Sequence, residues 1–292
     1  MKKWDGKSKG NALGYQCFVS LLRVGGPRLA YFLLYFVSFF FFLSLRSQRR
    51  HLYSFYSKLG FSKSKRVLST YKNFIVLGKS MIDRIAVMSG NMKKVDYTFE
   101  GEDHLKEMID RKQGGFLIGA HMGNWNLAGF LLKRVSENTK IYALIYDEEK
   151  EAIKKYLGKV CEKNSIEFIA IKNDMSHIFK IAEVLGNNHL ICVLADRYMP
   201  GSQTISQDFF EEEAFFPEGV FRLVQRTKVP VTFTYTFREG FRKYHLFATP
   251  LKEYSSDRNL KQIVADYSKS LEDMVRKYPL QWFNYYNFWE KN

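Results

Sequence analysis

The alternation of apolar strand-like runs with helical patterns constrains the fold of this chain more than any other feature. The strand-like runs are Gly115–Ala120, Lys140–Tyr146, Ile166–Ile171, Leu190–Ala195 and Val231–Phe237, and the helical patterns are 124–135, 149–163, 176–187 and 217–227. Such alternation is typical of a mostly parallel sheet with helices on both faces. Residues 99–292 are therefore predicted to form one α/β domain.

His121 follows the first of these runs directly, at a turn marked by Gly123. In open parallel sheets ligands bind beyond the carboxyl ends of the strands. Asp147 and Asp196 also follow strand-like runs, so the three residues are expected at one edge of the sheet. A histidine there can act as a general base, because its unperturbed pKa lies near neutrality. The spacing also fits a histidine that only stabilises a turn, with Asn124 as the N-cap of the next helix.

The formal net charge of +15 is concentrated in the N-terminal part of the 292-residue chain. Residues 1–82 hold 15 Lys or Arg and one acidic residue, Asp5, whereas residues 83–292 hold 30 Lys or Arg and 29 Asp or Glu. A basic arm on a nearly neutral body indicates an anionic membrane as the partner. Nucleic acid is disfavoured, because it would require the basic residues on the body.

An uncharged apolar run, residues 29–45, lies inside this basic arm and has arginines on both sides. As a helix it would be roughly 25 Å long, against about 30 Å for the hydrocarbon core of a bilayer. Positive charge on both flanks favours a helix that enters one leaflet and stays there. A signal peptide and a buried core helix are the alternatives, although no small-residue cleavage site is evident. Residues 1–98 are predicted to be a helical membrane-docking region.

The stretch from His121 to Asn126, His-Met-Gly-Asn-Trp-Asn, resembles the His-x4-Asp/Glu signature of bacterial lipid A biosynthesis acyltransferases, in the lysophospholipid acyltransferase-like superfamily. In that family the histidine deprotonates an acceptor hydroxyl, and the acid five positions later orients the imidazole. Here the acid position holds Asn126. The resemblance implies that His121 is the base and that its orienting partner is Asn126, or else a carboxylate such as Asp147 or Asp196.

Further matches follow in the family's order. Asp196-Arg197 resembles an Asp-Arg pair, in which the Arg197 guanidinium would bind a phosphate or else form a surface ion pair. Phe215–Gly219 resembles a Phe-Pro-x-Gly turn that would present backbone N–H groups to an anion, although ordinary turn chemistry fits as well. Residues 278–289 resemble a Pro-x-Gln-Trp-Phe-Asn segment and are predicted to line or close an acyl groove. The substrate-binding residues implied are Asn124, Asp196, Arg197, Phe216 and Gly219.

The resemblance extends over nearly the whole chain and implies a monotopic acyltransferase on the cytoplasmic face of a bacterial inner membrane. The acyl group would pass from an acyl carrier protein or coenzyme A (CoA) thioester to a hydroxyl or amine of a lipid, such as a lipid A-like glycolipid or an aminolipid. No cofactor or metal is expected, because a thioester is already activated. The alternative is a catalytically silent homologue that binds or presents a lipid, and its main support is Asn126.

Overall fold

A computed structural model of the chain describes residues 12–88, 95–125, 127, 138–146, 166–171, 176–254 and 260–291. The strands in these ranges are β1 (Asp96–Glu100), β2 (Gly115–Gly119), β3 (Ile141–Tyr146), β4 (Ile166–Ile171), β5 (Leu190–Leu194), β6 (Thr204–Phe209), β7 (Glu212–Pro217), β8 (Val231–Gly240) and β9 (Lys243–Ala248). The helices are α1 (Ala12–Ser44), α2 (Arg46–Lys58), α3 (Lys63–Met88), α4 (Glu102–Asp110), α5 (Ser176–Gly186), α6 (Glu218–Thr227) and α7 (Leu260–Lys277). A short 3-10 turn, Pro279–Gln281, follows α7.

The central sheet has the strand order β1-β9-β8-β2-β5-β3-β4. Strands β8, β2, β5, β3 and β4 pair in parallel. At the other end, β9 is antiparallel to β8 and parallel to the edge strand β1. Strands β6 and β7 form a separate antiparallel hairpin. The prediction of a mostly parallel α/β sheet is confirmed.

All five strands expected from the sequence are present, and β8 extends three residues beyond its expected end. The helical patterns 176–187 and 217–227 correspond to α5 and α6. The pattern 149–163, and the pattern 124–135 apart from its first residues, lie outside the described residues. The strands β1, β6, β7 and β9 and the helices α4 and α7 were not expected. The burial patterns of these four strands mix exposed and buried positions, so none of them stands out in the sequence as a continuous apolar run.

Residues 12–88 of the N-terminal arm are helical apart from short breaks, as predicted, whereas β1 begins at Asp96, inside the range 1–98 that was predicted to be helical. Helix α1 consists of two helices joined at Gly26, whose φ of 66° lies in the left-handed region that glycine adopts without strain. A narrow stripe of the second part, Ala30, Leu34 and Ser38, is buried. Leu34 packs closely on Gly78 of α3, where a Cβ atom would collide with it. Because the second part of α1 contacts α3 through this stripe, most of the surface of residues 25–44 is left uncovered.

The exposed face of α1 is strongly apolar. Gly25–Ser44 is long and apolar enough to cross a membrane by length and composition, and only 22% of its apolar window is buried. A core helix would bury these side chains, so the core-helix alternative does not fit the described contacts. The large apolar residues exposed on α1 are Leu29, Phe32, Tyr35, Phe36, Val37, Phe39, Phe40, Phe41 and Leu43.

The main core joins the sheet to the C-terminal segment through stacked aromatic rings. The rings of Phe209, Trp282 and Phe288 lie with centroids 5.1–5.5 Å apart. All three side chains are buried, and full burial of a large apolar side chain contributes roughly 1.5–3 kcal/mol. This packing fixes the residues after α7 against the ends of the central strands.

Candidate active site

His121 and Asp196 lie side by side because they extend two neighbouring parallel strands. Gly119, the last residue of β2, is paired with Leu194, the last residue of β5. His121 comes two positions after Gly119, and Asp196 comes two positions after Leu194. The Nδ1 atom of His121 lies 2.7 Å from Oδ1 of Asp196. The backbone N–H of His121 donates to the same oxygen at 3.0 Å. The expectation that His121 and Asp196 share one edge of the sheet is confirmed, while Asp147 lies outside the described residues.

The protonation of the pair follows from burial and charge. The Asp196 side chain is 1% exposed, whereas 18% of the His121 side chain is exposed. An ionised carboxylate can only accept hydrogen bonds, so Nδ1 of His121 carries the proton and Nε2 carries a lone pair. Burial, and next the charge of Arg197, lower the pKa of His121 against the opposite effect of Asp196. The imidazole is therefore neutral near pH 7, as a general base must be.

Asp196 is kept ionised by its neighbours. Burial acts to raise the pKa of its carboxyl, but at the acidic pH where this carboxyl titrates the charge of protonated His121, the hydrogen bonds from His121 and the charge of Arg197 outweigh burial, and the pKa is lowered. The indole Nε1–H of Trp282 donates to Oδ2 at 3.3 Å. Both carboxylate oxygens therefore have donors within the protein.

The C-terminal segment holds both members of the pair. The backbone N–H of Phe283 donates to the backbone oxygen of His121 at 3.0 Å, and the Tyr286 hydroxyl donates to the backbone oxygen of Asp196 at 2.9 Å. Together with Trp282, these residues form the support of the site that the sequence did not identify. The dense aromatic pattern of residues 278–289 was the available signal, but from it we predicted only that the segment lines or closes an acyl groove.

The turn after His121 is fixed by backbone contacts. Gly123 has a φ of 61°, and a Cβ atom there would collide with the backbone oxygen of Thr236. The Gly123 N–H donates to Gln281 O and the Asn124 N–H to Thr236 O, both at 2.7 Å. The ring of Trp125 meets that of His121 edge-on at 5.3 Å. One flank of the imidazole is therefore covered by an indole.

Asn124 is buried, and its side-chain amide donates to the backbone oxygen of Ser80 at 3.1 Å and to the Tyr244 hydroxyl at 3.4 Å. These contacts tie the turn to α3 and β9. A substrate contact for Asn124 stays a prediction. Asn126, the predicted partner of His121, lies outside the described residues.

Arg197 extends from the same strand end as Asp196 and is half-buried. Its Nη2 donates to the backbone oxygen of Phe283 at 2.6 Å, and its guanidinium carbon lies 6.0 Å from the centre of the Tyr286 ring. Arg197 therefore places positive charge beside the His121–Asp196 pair. Binding of a phosphate by Arg197 stays a prediction.

The other two residues implied by the resemblance lie apart from the pair. Phe216 is fully buried in β7, where its ring packs against Phe209, Tyr267 and Phe288. Gly219 lies in the first turn of α6, and a Cβ atom there would meet open space. No hydrogen bond in the described ranges joins Phe216 or Gly219 to the pair. Among the described residues, no three His, Cys, Asp or Glu side chains cluster to hold a metal ion.

Comparison of the sequence with known proteins shows which family and which individual proteins the chain is similar to. A family model described as bacterial lipid A biosynthesis acyltransferase matches residues 62–291. A phosphatidylinositol mannoside acyltransferase of Mycobacterium tuberculosis (strain ATCC 25618 / H37Rv) is 25% identical over 150 residues, which are 51% of this chain and 46% of that protein. The protein of the same name from Mycolicibacterium smegmatis is 27% identical over 140 residues, 47% of this chain and 45% of that one. The chain thus aligns with less than half the length of these relatives.

Proposed function

The chain belongs to the bacterial lipid A biosynthesis acyltransferase family, and we propose that it transfers a fatty acyl group from a thioester to a hydroxyl or amine of a lipid. The observation that carries this proposal is the 2.7 Å contact between Nδ1 of His121 and Oδ1 of Asp196. It sets the tautomer that leaves Nε2 able to accept a proton. In this proposal the partner of His121 is Asp196, and Asn126 is not required for the chemistry.

In the proposed reaction, His121 takes a proton from the acceptor and later gives it to the departing sulfur. Nε2 takes the proton from the acceptor O–H or N–H as that oxygen or nitrogen attacks the thioester carbonyl. The tetrahedral intermediate then collapses, the C–S bond breaks, and the departing sulfur takes the proton from Nε2. The carboxylate of Asp196 remains ionised throughout and stabilises the imidazolium while it exists, as in a Ser-His-Asp triad.

Arg197 has two proposed effects. Its charge disfavours the imidazolium of His121, which keeps the base neutral before substrate binds. A guanidinium also binds phosphate groups through paired hydrogen bonds, and both an acyl carrier protein and CoA present their thioester on a phosphorylated arm. We propose that Arg197 holds the phosphate of the donor, and that Gly219 at the start of α6 contacts an anionic group of donor or acceptor.

The proposed location is the cytoplasmic face of a bacterial inner membrane. Helix α1 binds α3 through one stripe and exposes phenylalanines elsewhere, which suits a helix lying along the membrane interface. Lys79 of α3 is partly buried and donates to the Tyr35 hydroxyl of α1, and at bilayer depth its charge would be costly. This arrangement favours insertion into one leaflet. The basic residues of the arm would attract anionic lipid and an acidic carrier protein.

A catalytically silent homologue is the second candidate, supported by the amide at position 126. Loss of the orienting acid would remove the main reason for His121 to act as a base. The buried and ionised Asp196 on Nδ1 weighs against this candidate. A lipid-presenting protein has no need to keep a carboxylate buried beside a neutral imidazole.

Mass spectrometry of total lipids tests the proposal. Cells with the gene should contain a lipid heavier by one acyl group than cells without it, and His121→Ala should abolish the product, since a general base contributes about 10²-fold or more. His51→Ala is the matched control, because the hydrogen bond described for His51 is to Ser47, one turn away on the same helix α2. An unchanged product in His121→Ala would refute the mechanism.

A further inference from the structure

The carboxylate of Asp83 is fully buried and lies between the N-terminal helix α1 and the turn of residues 121–124, which we call the catalytic turn. Asp83 belongs to α3 and is 0% exposed. The Tyr31 hydroxyl, from α1, donates to its Oδ1. The Arg238 Nε, from β8, donates to Oδ2 at 2.9 Å, and the Tyr244 hydroxyl, from β9, donates to the same oxygen. Donors from α1 and from the β8–β9 hairpin, which are far apart in the sequence, therefore meet at one carboxylate of α3.

The first route from Asp83 to the catalytic turn passes through Tyr244. Burial, and next the charge of Asp83, raise the pKa of Tyr244, so its hydroxyl stays a donor toward the carboxylate. The same hydroxyl oxygen accepts from the side-chain amide of Asn124 at 3.4 Å. Asn124 is three residues after His121 and also donates to Ser80 of α3. The orientation of the Asn124 amide is therefore set by Ser80 of α3 and by Tyr244, which is itself held by Asp83.

The second route passes through Arg238 and Gln281. The backbone N–H of Arg238 donates to Oε1 of Gln281, and Nε2 of Gln281 donates to the backbone oxygen of Arg238, both at 2.9 Å. The backbone oxygen of Gln281 accepts from the N–H of Gly123 at 2.7 Å. A shift of Arg238 would therefore be transmitted to both the catalytic turn and the C-terminal segment.

We propose that Asp83 is a positioning residue that makes the order of the catalytic turn depend on the seating of α1 against α3. The proposal rests on the function proposed above for His121, but it concerns a part of the molecule that does not touch the pair. Tyr31 is the residue of α1 that reaches the carboxylate, and its ring also lies over the Arg238 guanidinium at 5.4 Å. If α1 leaves α3, Asp83 loses a donor and Arg238 loses the ring that covers it.

A buried carboxylate can couple α1 to the catalytic turn, because its free energy depends strongly on how many donors it has. Removing one donor from a buried charged group costs more than removing one from a neutral group. The remaining donors, Arg238 and Tyr244, would shift to compensate, and both are connected to the turn. Loss of α1 contact would therefore loosen residues 121–124 without breaking the His121–Asp196 hydrogen bond directly.

The test is amide hydrogen exchange of the full-length protein on vesicles of phosphatidylethanolamine and phosphatidylglycerol. Tyr31→Phe removes the hydroxyl and keeps the ring. We expect peptides covering residues 115–125 to exchange roughly threefold to tenfold faster, because only part of the free energy of the lost hydrogen bond to a charged group is transmitted to the turn. Peptides covering α7 should exchange as in the wild type. Tyr35→Phe is the matched control, because its hydroxyl on the same helix accepts from Lys79.

Three results would overturn the proposal: unchanged exchange of the turn in Tyr31→Phe, equal acceleration in α7, or the same effect from Tyr35→Phe. Asp83→Asn is a second variant, but it leaves Arg238 without its carboxylate and can fail to fold, so Tyr31→Phe decides. In an acyl-transfer assay, Tyr31→Phe should lower kcat and leave KM for the thioester unchanged. Absence of transfer in the wild type would refute the proposed function, whereas the exchange result would stand by itself.

Discussion

One oxygen of Asp196, Oδ1, accepts hydrogen bonds from both the ring and the backbone of His121, at 2.7 Å from Nδ1 and 3.0 Å from the backbone nitrogen. The two contacts fix the position of the residue and the orientation of its imidazole together. Since Trp282 donates to the second oxygen, the carboxylate itself cannot rotate easily. The geometry therefore resembles the His–Asp half of a catalytic triad.

The first prediction distinguishes the two residues that could orient His121. Asp196→Asn should lower the rate of thiol release from an acyl thioester by about 10²–10⁴-fold, because an amide there favours the wrong tautomer. Asn126→Asp should change the rate by less than about tenfold, since Nδ1 already has its acceptor. The measurement is the initial rate in the presence of acceptor lipid.

Asp103→Asn provides the control for these substitutions, because Asp103 lies on the exposed surface of α4. A surface Asp to Asn change usually alters stability by less than about 0.5 kcal/mol. A large gain in Asn126→Asp together with a mild effect of Asp196→Asn would contradict the assignment of Asp196 and return the orienting role to position 126.

The second prediction concerns pH. The base is active when neutral, so kcat/KM should rise with pH through the pKa of His121 and level off above it. Burial and Arg197 lower this pKa, which places the rise below about 6.5, the ordinary value for histidine. Arg197→Met removes a charge that disfavours the imidazolium, so the rise should move to higher pH. Asp196→Asn removes a charge that favours it, so the residual activity should rise at lower pH.

Arg197→Lys keeps the charge and loses the planar fork. Its pH profile should match the wild type, whereas KM for the donor should increase with only a modest change in kcat, the mark of lost uniform binding. Shifts of the same sign in Arg197→Met and Asp196→Asn would contradict the electrostatic argument. An unchanged KM in Arg197→Lys would contradict the proposed phosphate contact.

The sequence predicted the parallel strands, because strands buried on both faces are continuous apolar runs. It also predicted that His121 and Asp196 share an edge of the sheet, because both follow such strands. It could not identify their hydrogen bond, since two residues 75 positions apart pair only through the register of β2 and β5. The contacts of Trp282 and Phe283 are a consequence of aromatic packing after α7, and packing partners leave no periodic pattern.

The third prediction separates two effects of Trp282: its hydrogen bond to Asp196 and the packing of its ring in the aromatic core. Trp282→Phe keeps an aromatic ring but removes the N–H that donates to Asp196, and Trp282 is 0% exposed. We expect unfolding to become easier by about 1–3 kcal/mol and kcat to fall several-fold. Trp289→Phe is the matched control, because its indole donates to the backbone oxygen of Phe209 instead.

Trp289→Phe should lower the free energy of unfolding and leave kcat of the folded enzyme unchanged. Denaturant midpoints measure the first quantity, and rates normalised to folded protein measure the second. If both variants lower kcat equally, Trp282 contributes only packing, and its hydrogen bond to Asp196 has no effect on the chemistry.

The fourth prediction tests the membrane contact of α1. Full-length protein should remain in the membrane pellet after a high-salt wash, because salt screens charges but leaves apolar insertion intact. A chain starting near Ser47 should be extracted more easily.

A double substitution tests the same contact in the full-length protein. Phe36 and Phe40 are 63% and 64% exposed, and replacing both by Glu should release the protein without unfolding it. Phe179→Glu is the matched control, since that ring is 81% exposed on α5, away from the arm. If salt alone releases the wild type, or if Phe179→Glu releases as much protein as the α1 variant, α1 is not inserted in the bilayer.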